Sequence, residues 1–190
     1  MGAIADPDES NLPGAGMPQA TEIDPEAREA MAVLDRPREA ADAMSPDLAE
    51  RIDARADFGM NPGLSRLSIG NATNSVYVIP ANGHVCAALT VGEGANLSCR
   101  SNETIAGGKA AAATVVLETR DIAIYGIVPD GVESVSVHSG ASEPSVVPTE
   151  GNAYYTVVPA GTPLKGVSYA GPSGPVEFPL YDPSRIERGS

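Results

Sequence analysis

The chain has no tryptophan and only two phenylalanines. Its interior must therefore be filled by valine, isoleucine, leucine, alanine and tyrosine, which gives fine-grained packing. Lysine is scarce too, two residues against ten arginines. A net charge of -13 leaves no basic footprint for nucleic acid. It also opposes docking on anionic lipid. No apolar run approaches the roughly 18 residues of a membrane-spanning helix. Met1 to Asp6 offers neither the basic flank nor the apolar stretch of an export signal. With only two histidines and two cysteines, a metal centre has few soft ligands to draw on.

Those two cysteines fit as opposing partners on one hairpin. Val85–Val91 and Gly94–Arg100 read as strands separated by Gly92-Glu93. Glycine at the first central position of a two-residue loop signals a type II′ turn. With that turn Val91 faces Gly94 and Cys86 faces Cys99. The pairs alternate from the turn, which makes 86:99 a non-hydrogen-bonded pair, where strands approach closely enough for a disulfide. A disulfide implies an oxidising compartment. The expectation is an extracytoplasmic protein, secreted or membrane-anchored, whose export segment is absent from this chain.

Charge divides the sequence near residue 60. Residues 1–60 hold fourteen acids against five arginines, and residues 61–190 hold eleven acids against seven bases. All six tyrosines fall in the second part. Residues 1–22 read as disordered, 23–60 as an acidic helical arm, 61–182 as an antiparallel β domain and 183–190 as a tail. In the arm, Asp24-Pro25-Glu26 and Ser45-Pro46-Asp47 are helix starts, each with a capping side chain before a proline. Ala27, Ala30, Met31 and Leu34 share one face of the first helix, which Pro37 interrupts. Leu48, Ile52 and Ala56 line the second, and Gly59 suits its C-terminal cap.

From Ser65 onward the pattern is strand, turn, strand. Asn82-Gly83 predicts a type I′ hairpin, and Pro129-Asp130-Gly131 predicts a hairpin between 122–128 and 132–138. Further strands are expected at 113–119, 143–148, 152–158, 163–169 and 175–181, with Gly171–Gly174 as a hairpin loop and Ala110–Ala113 as a linker or helix turn. This turn spacing suggests an antiparallel β-sandwich, with an open barrel as the alternative. Prolines at 144, 148, 159, 163, 175 and 179 favour edges and open ends.

The chemistry on offer is thin. His84, Cys86, Cys99 and His138 lack the two short-spaced ligand pairs of structural zinc, and the disulfide competes for both sulfurs. Cys86 has no converging base, and Gly171-Pro-Ser-Gly174 is no nucleophile elbow. No glycine-rich stretch opens a helix as a phosphate loop would. The body's carboxylates read as solvated loop charges. Asn71, Asn96 and Asn102 match the glycosylation pattern but read as turn residues. Tyr154 and Tyr155, adjacent on a strand, must face opposite ways, so one of them is a candidate contact residue. No catalytic residue, metal or cofactor is assigned.

The stretch Met31-Ala-Val-Leu-Asp-Arg-Pro-Arg-Glu-Ala-Ala-Asp42, followed by Ala123-Ile-Tyr-Gly-Ile-Val-Pro-Asp-Gly-Val132, resembles a group of secreted or membrane-anchored proteins from GC-rich Gram-positive bacteria. That group has no assigned function. The resemblance implies an extracytoplasmic location and a β domain, and it carries over no catalytic residue.

The functional expectation is a non-enzymatic β module that binds or senses a protein or cell-envelope component. The alternatives are a secreted hydrolase with loop-borne catalytic residues and a structural surface subunit.

Overall fold

The computed structural model describes residues 17–54, 58–70, 74–140 and 143–181. Its helices are short: α1 (Pro25–Ala30), α2 (Ala32–Asp35), α3 (Pro46–Asp53) and α4 (Asn102–Ala106). Eleven strands follow in antiparallel sheets: β1 (Arg66–Gly70), β2 (Ser75–Ala81), β3 (His84–Val91), β4 (Gly94–Ser101), β5 (Ala111–Val116), β6 (Ile122–Ile127), β7 (Ser134–Ser139), β8 (Ser145–Pro148), β9 (Ala153–Val158), β10 (Leu164–Gly171) and β11 (Gly174–Pro179). The front sheet runs β1-β2-β3-β4, the middle sheet β5-β6-β9 and the outer sheet β11-β10-β7-β8. The antiparallel β character read from the sequence is present, distributed over three sheets.

Three buried clusters order these sheets. One joins Val76, Val78, Val85 and Leu89 of the front sheet to Tyr125 and Ile127 of the middle sheet. A second joins Ile122, Ile124 and Tyr154 of the middle sheet to Val135, Val137 and Val167 of the outer sheet. The third lies on the opposite face of the front sheet, where Leu48 and Ile52 of α3 cover Tyr77, Ile79 and Cys86. β6 is therefore buried along its whole length, which explains why its sequence is a continuous apolar run instead of an alternation.

The helical arm is part of this packing. Ile23, Ala27, Met31, Val33 and Leu34 belong to the first cluster, and Met44, Leu48, Ile52 and Met60 to the third. A boundary at residue 60 thus cuts through two cores. Of the segment read as disordered, residues 1–16 lie outside the described residues, as does the tail beyond 181. Ala20 is buried, and its N–H donates to the Gly59 carbonyl at 2.8 Å.

Both proline-led helix starts form as read: Asp24 accepts from the Glu26 N–H at 2.9 Å and Ser45 from the Leu48 N–H at 3.3 Å. Two details of the arm differ. The first helix breaks at Met31, six residues before Pro37, because the β body caps α2: Asp130 Oδ1 accepts from the Ala32 N–H (2.9 Å) and Asn152 Oδ1 from the Val33 N–H (3.0 Å). The second helix ends at Asp53, short of Gly59.

In the body, Pro129-Asp130-Gly131 makes no hairpin. It is a corner between sheets, since β6 pairs with β5 and β9 while β7 pairs with β8 and β10. The Asp130 N–H donates to the Ala30 carbonyl at 2.9 Å, so the residue that signals a turn clamps the arm instead. Ala111–Ala113 is strand β5, not a linker, and it pairs with the buried β6. At the Asn82-Gly83 loop only Gly83 has a positive φ (67°), which excludes type I′. Asn82 is held there by its N–H to Phe58 (3.0 Å) and its side chain to Pro18.

Candidate functional site

The cysteine hairpin forms in the expected register, with Val91 opposite Gly94 and Cys86 opposite Cys99. The sulfurs are bonded at 2.04 Å, and the Cα atoms are 4.0 Å apart. The Asn102 N–H donates to the Gly83 carbonyl. That places 83:102 among the hydrogen-bonded pairs and leaves 86:99 between them. Gly92 has φ 56°, as the II′ turn requires. Cys86 is buried beneath the α3 side of the front sheet.

The other sequence candidates scatter. Tyr154 is fully buried, with no partner for its hydroxyl among the described residues. Burial raises the Tyr154 pKa above the ordinary phenol range, with Tyr169 and Tyr125 adding to the effect. It therefore offers no contact surface. Tyr155 faces the first cluster, half-buried, and its hydroxyl accepts from Asn74 Nδ2 at 2.8 Å. His84 stacks obliquely on Phe58 at 4.9 Å between ring centroids, and its Nδ1 lies 3.0 Å from the Asn82 carbonyl. The two imidazoles are not brought together with the sulfurs, and no metal-ligand cluster occurs among the described residues. Asn96 is in β4 and accepts from the Tyr125 hydroxyl at 2.6 Å; Asn102 is buried at the start of α4. Neither is the turn residue expected, and Asn71 lies outside the described residues.

One buried charge cluster lies in the arm, outside the body whose carboxylates read as solvated. Asp42 is wholly buried and accepts from Arg36 Nη1 (2.8 Å) and Nη2 (2.6 Å), and from the N–H groups of Glu39 and Leu67 (both 2.7 Å). Burial alone would raise its pKa. The Arg36 bonds and the two amides outweigh burial and hold the carboxyl down at about 2. Arg66 is buried beside it and donates to the carbonyls of Arg36, Leu64 and Ser65. With these bonds made, the cluster staples the arm to β1. The Arg36-Pro37 stretch is thus occupied structurally.

The outer face of the outer sheet is different, because no described residue on it is buried. His138, Gly166 and Pro179 form one row across β7, β10 and β11, and Ser136, Ser168 and Glu177 form the next. Ser134, Ala170 and Pro175 continue the face. Register shifts between Leu164 and Gly166, so Lys165 is the extra residue of a bulge. Gly166 has no room for a side chain, since a Cβ would fall 2.6 Å from the Phe178 carbonyl oxygen. Beside the bulge is a hollow of about 460 Å³ lined by His138, Lys165, Glu177, Phe178 and Pro179. That lies within the size range of ligand pockets. Beside it, His138 Nε2 lies 2.7 Å from Ser168 Oγ. The sequence placed His138 on a wet face but gave Ser168 no role. Only the pairing of two strands thirty residues apart joins them.

Both free edges of this sheet are closed by proline. The Leu180 N–H donates to the Lys165 carbonyl, and the Thr149 N–H to the Glu133 carbonyl. By alternation, Pro175, Glu177 and Pro179 turn their main chain to the open side of β11, and Val146 and Pro148 do so on β8, with Pro144 just before it. Two of three outward positions on each edge therefore carry no N–H. Val146, 70 % exposed, stands between one such pair. In comparisons with family models, curated proteins and solved structures, the chain has no significant match in any of the three.

Proposed function

We propose that this chain is an extracytoplasmic, non-enzymatic β module that binds a protein or cell-envelope component through the open face of its outer sheet. The observation that carries the reading is that face itself: solvent-exposed, dished at Gly166, and bounded by proline-closed edges. Edges with one outward donor in three disfavour strand addition, so a partner meets side chains and not a ladder. The same prolines weigh against a structural subunit that assembles edge to edge. The Cys86–Cys99 bond supports an oxidising compartment, and the resemblance to secreted or membrane-anchored proteins of GC-rich Gram-positive bacteria points the same way. Among the described residues no helix is long and apolar enough to cross a membrane. We read the fold as two sandwich pairings that share the middle sheet. In the first, Ser98 reaches the Ala112 carbonyl and Ser68 the Gly151 carbonyl, the side-to-side approach of an open barrel.

Two measurements test this. Thiol titration of unfolded, unreduced protein from its native source is expected to find none; two reactive thiols would remove the argument for location. Retention of envelope components on the immobilised chain is expected to fall in Ser134→Arg and Ala170→Arg variants, which keep the fold and obstruct the face. Unchanged retention in both would refute the face as the contact.

A further inference from the structure

Ser168 and Ser136 are directly paired on β10 and β7, on the same face and with similar half-burial. Only one of them is hydrogen-bonded to an imidazole: Ser168 Oγ meets His138 Nε2 at 2.7 Å, beside the hollow that His138 and Lys165 line. We propose that Ser168 is an activated nucleophile, able to accept an acyl group from an activated ester seated in that hollow, with His138 as its base. This goes beyond the binding role proposed above and does not depend on it.

The chemistry follows from the geometry. With the ring proton on Nδ1, the Ser168 hydroxyl donates to Nε2. As Oγ bonds to the ester carbonyl carbon, its proton passes to Nε2. The ester C–O bond then breaks, and the departing alkoxide takes that proton. The products are O-acyl Ser168 and the free alcohol. Main-chain amides around Ser168 are committed to the ladders with β7 and β11, so no amide pair is left to cradle the developing oxyanion. The expected outcome is therefore one acyl group held per chain, without rapid turnover. Pro179 gives the hollow an apolar wall, which suits an ester with a small apolar body.

The test uses the full chain and a fluorophosphonate ester, whose P–F bond is broken by an activated serine. Adducts are located by peptide mass spectrometry. Ser168 is expected to react about a hundredfold faster than Ser136, the gain a positioned base supplies. His138→Gln is expected to lose that advantage, and Ser168→Ala to lose the adduct. Treatment with p-nitrophenyl acetate is expected to leave its acetyl group on Ser168. Equal labelling of the two serines, or an unchanged Ser168 rate in His138→Gln, would overturn the proposal. The comparison of Ser168 with Ser136 is made within one unaltered chain, so it stands even where a variant folds poorly. Retention of partners on the face variants is a separate readout, so the two readings fail independently.

Discussion

Asp42→Asn is the sharpest perturbation the structure offers. The carboxylate is fully buried and takes four hydrogen bonds, two from Arg36 and one each from the Glu39 and Leu67 amides. Asparagine keeps one acceptor oxygen and turns an NH2 toward donors, so at least one of those donors is orphaned. An orphaned buried amide costs about 1–3 kcal/mol, and removing one partner of a buried ion pair costs about 3–5 kcal/mol. The Arg36 side chain is 31 % exposed and regains water, which favours the lower end. The expected loss is about 3 kcal/mol, or about 10 °C in melting temperature for a chain of this size. Urea unfolding followed by far-ultraviolet circular dichroism measures it. The pH dependence is the stronger check. The folded-state pKa of Asp42, about 2, lies below the ordinary aspartate value. Between the two, the unfolded chain binds the extra proton, so stability is complete above about pH 4 and is lost as pH falls toward 2. That linkage is worth about 2 kcal/mol. The stability gap between wild type and Asp42→Asn is therefore expected to be flat above about pH 5 and to narrow below about pH 4. A gap under about 0.5 kcal/mol at neutral pH, or one that does not change with acid, would refute the reasoning.

Met31→Ala and Leu34→Ala are each expected to cost about 2–5 kcal/mol in the same unfolding assay, because both side chains fill the cluster shared with the front and middle sheets; losses below about 1 kcal/mol would mean the arm only rests on the body. Tyr154→Phe removes a buried hydroxyl with no partner among the described residues, so its stability is expected to match or exceed wild type. A loss above about 1 kcal/mol would reveal a bond to that hydroxyl. Replacing Pro148 and Pro179 by threonine restores one outward N–H on each edge of the outer sheet, and light scattering is expected to show concentration-dependent association. A chain that stays monodisperse would remove the edge-closing role.

What the sequence disclosed was local. The register of β3 on β4 could be read because a two-residue turn with glycine at its first central position fixes every later pair. The helix starts could be read because Asp24 and Ser45 cap amides two and three residues away. What it hid was set across distance. The break at Met31 comes from Asp130 and Asn152, which bond to α2 from 98 and 119 residues away. Period and capping chemistry carry no trace of such partners, and a turn signal at Pro129-Asp130-Gly131 fits a sheet-to-sheet corner as well as a hairpin.

The same contrast separates the two polar clusters. Glu39 and Asp42 form a reciprocal capping box at spacing three, a local contact that occupies Asp42. Ser168 and His138 have no such closeness in sequence. One side chain lies on β7 and the other on β10, and they meet only because Val137 pairs with Val167 and sets the rows on either side. Buried valines thus fix which exposed groups become neighbours. The alternation that buries Val135, Val137, Val167 and Tyr169 against the middle sheet also turns Ser136, His138 and Ser168 outward. A one-residue slip of β10 would bury the serine and separate it from the imidazole. The core packing of the outer sheet and the chemistry of its exposed face are therefore one constraint.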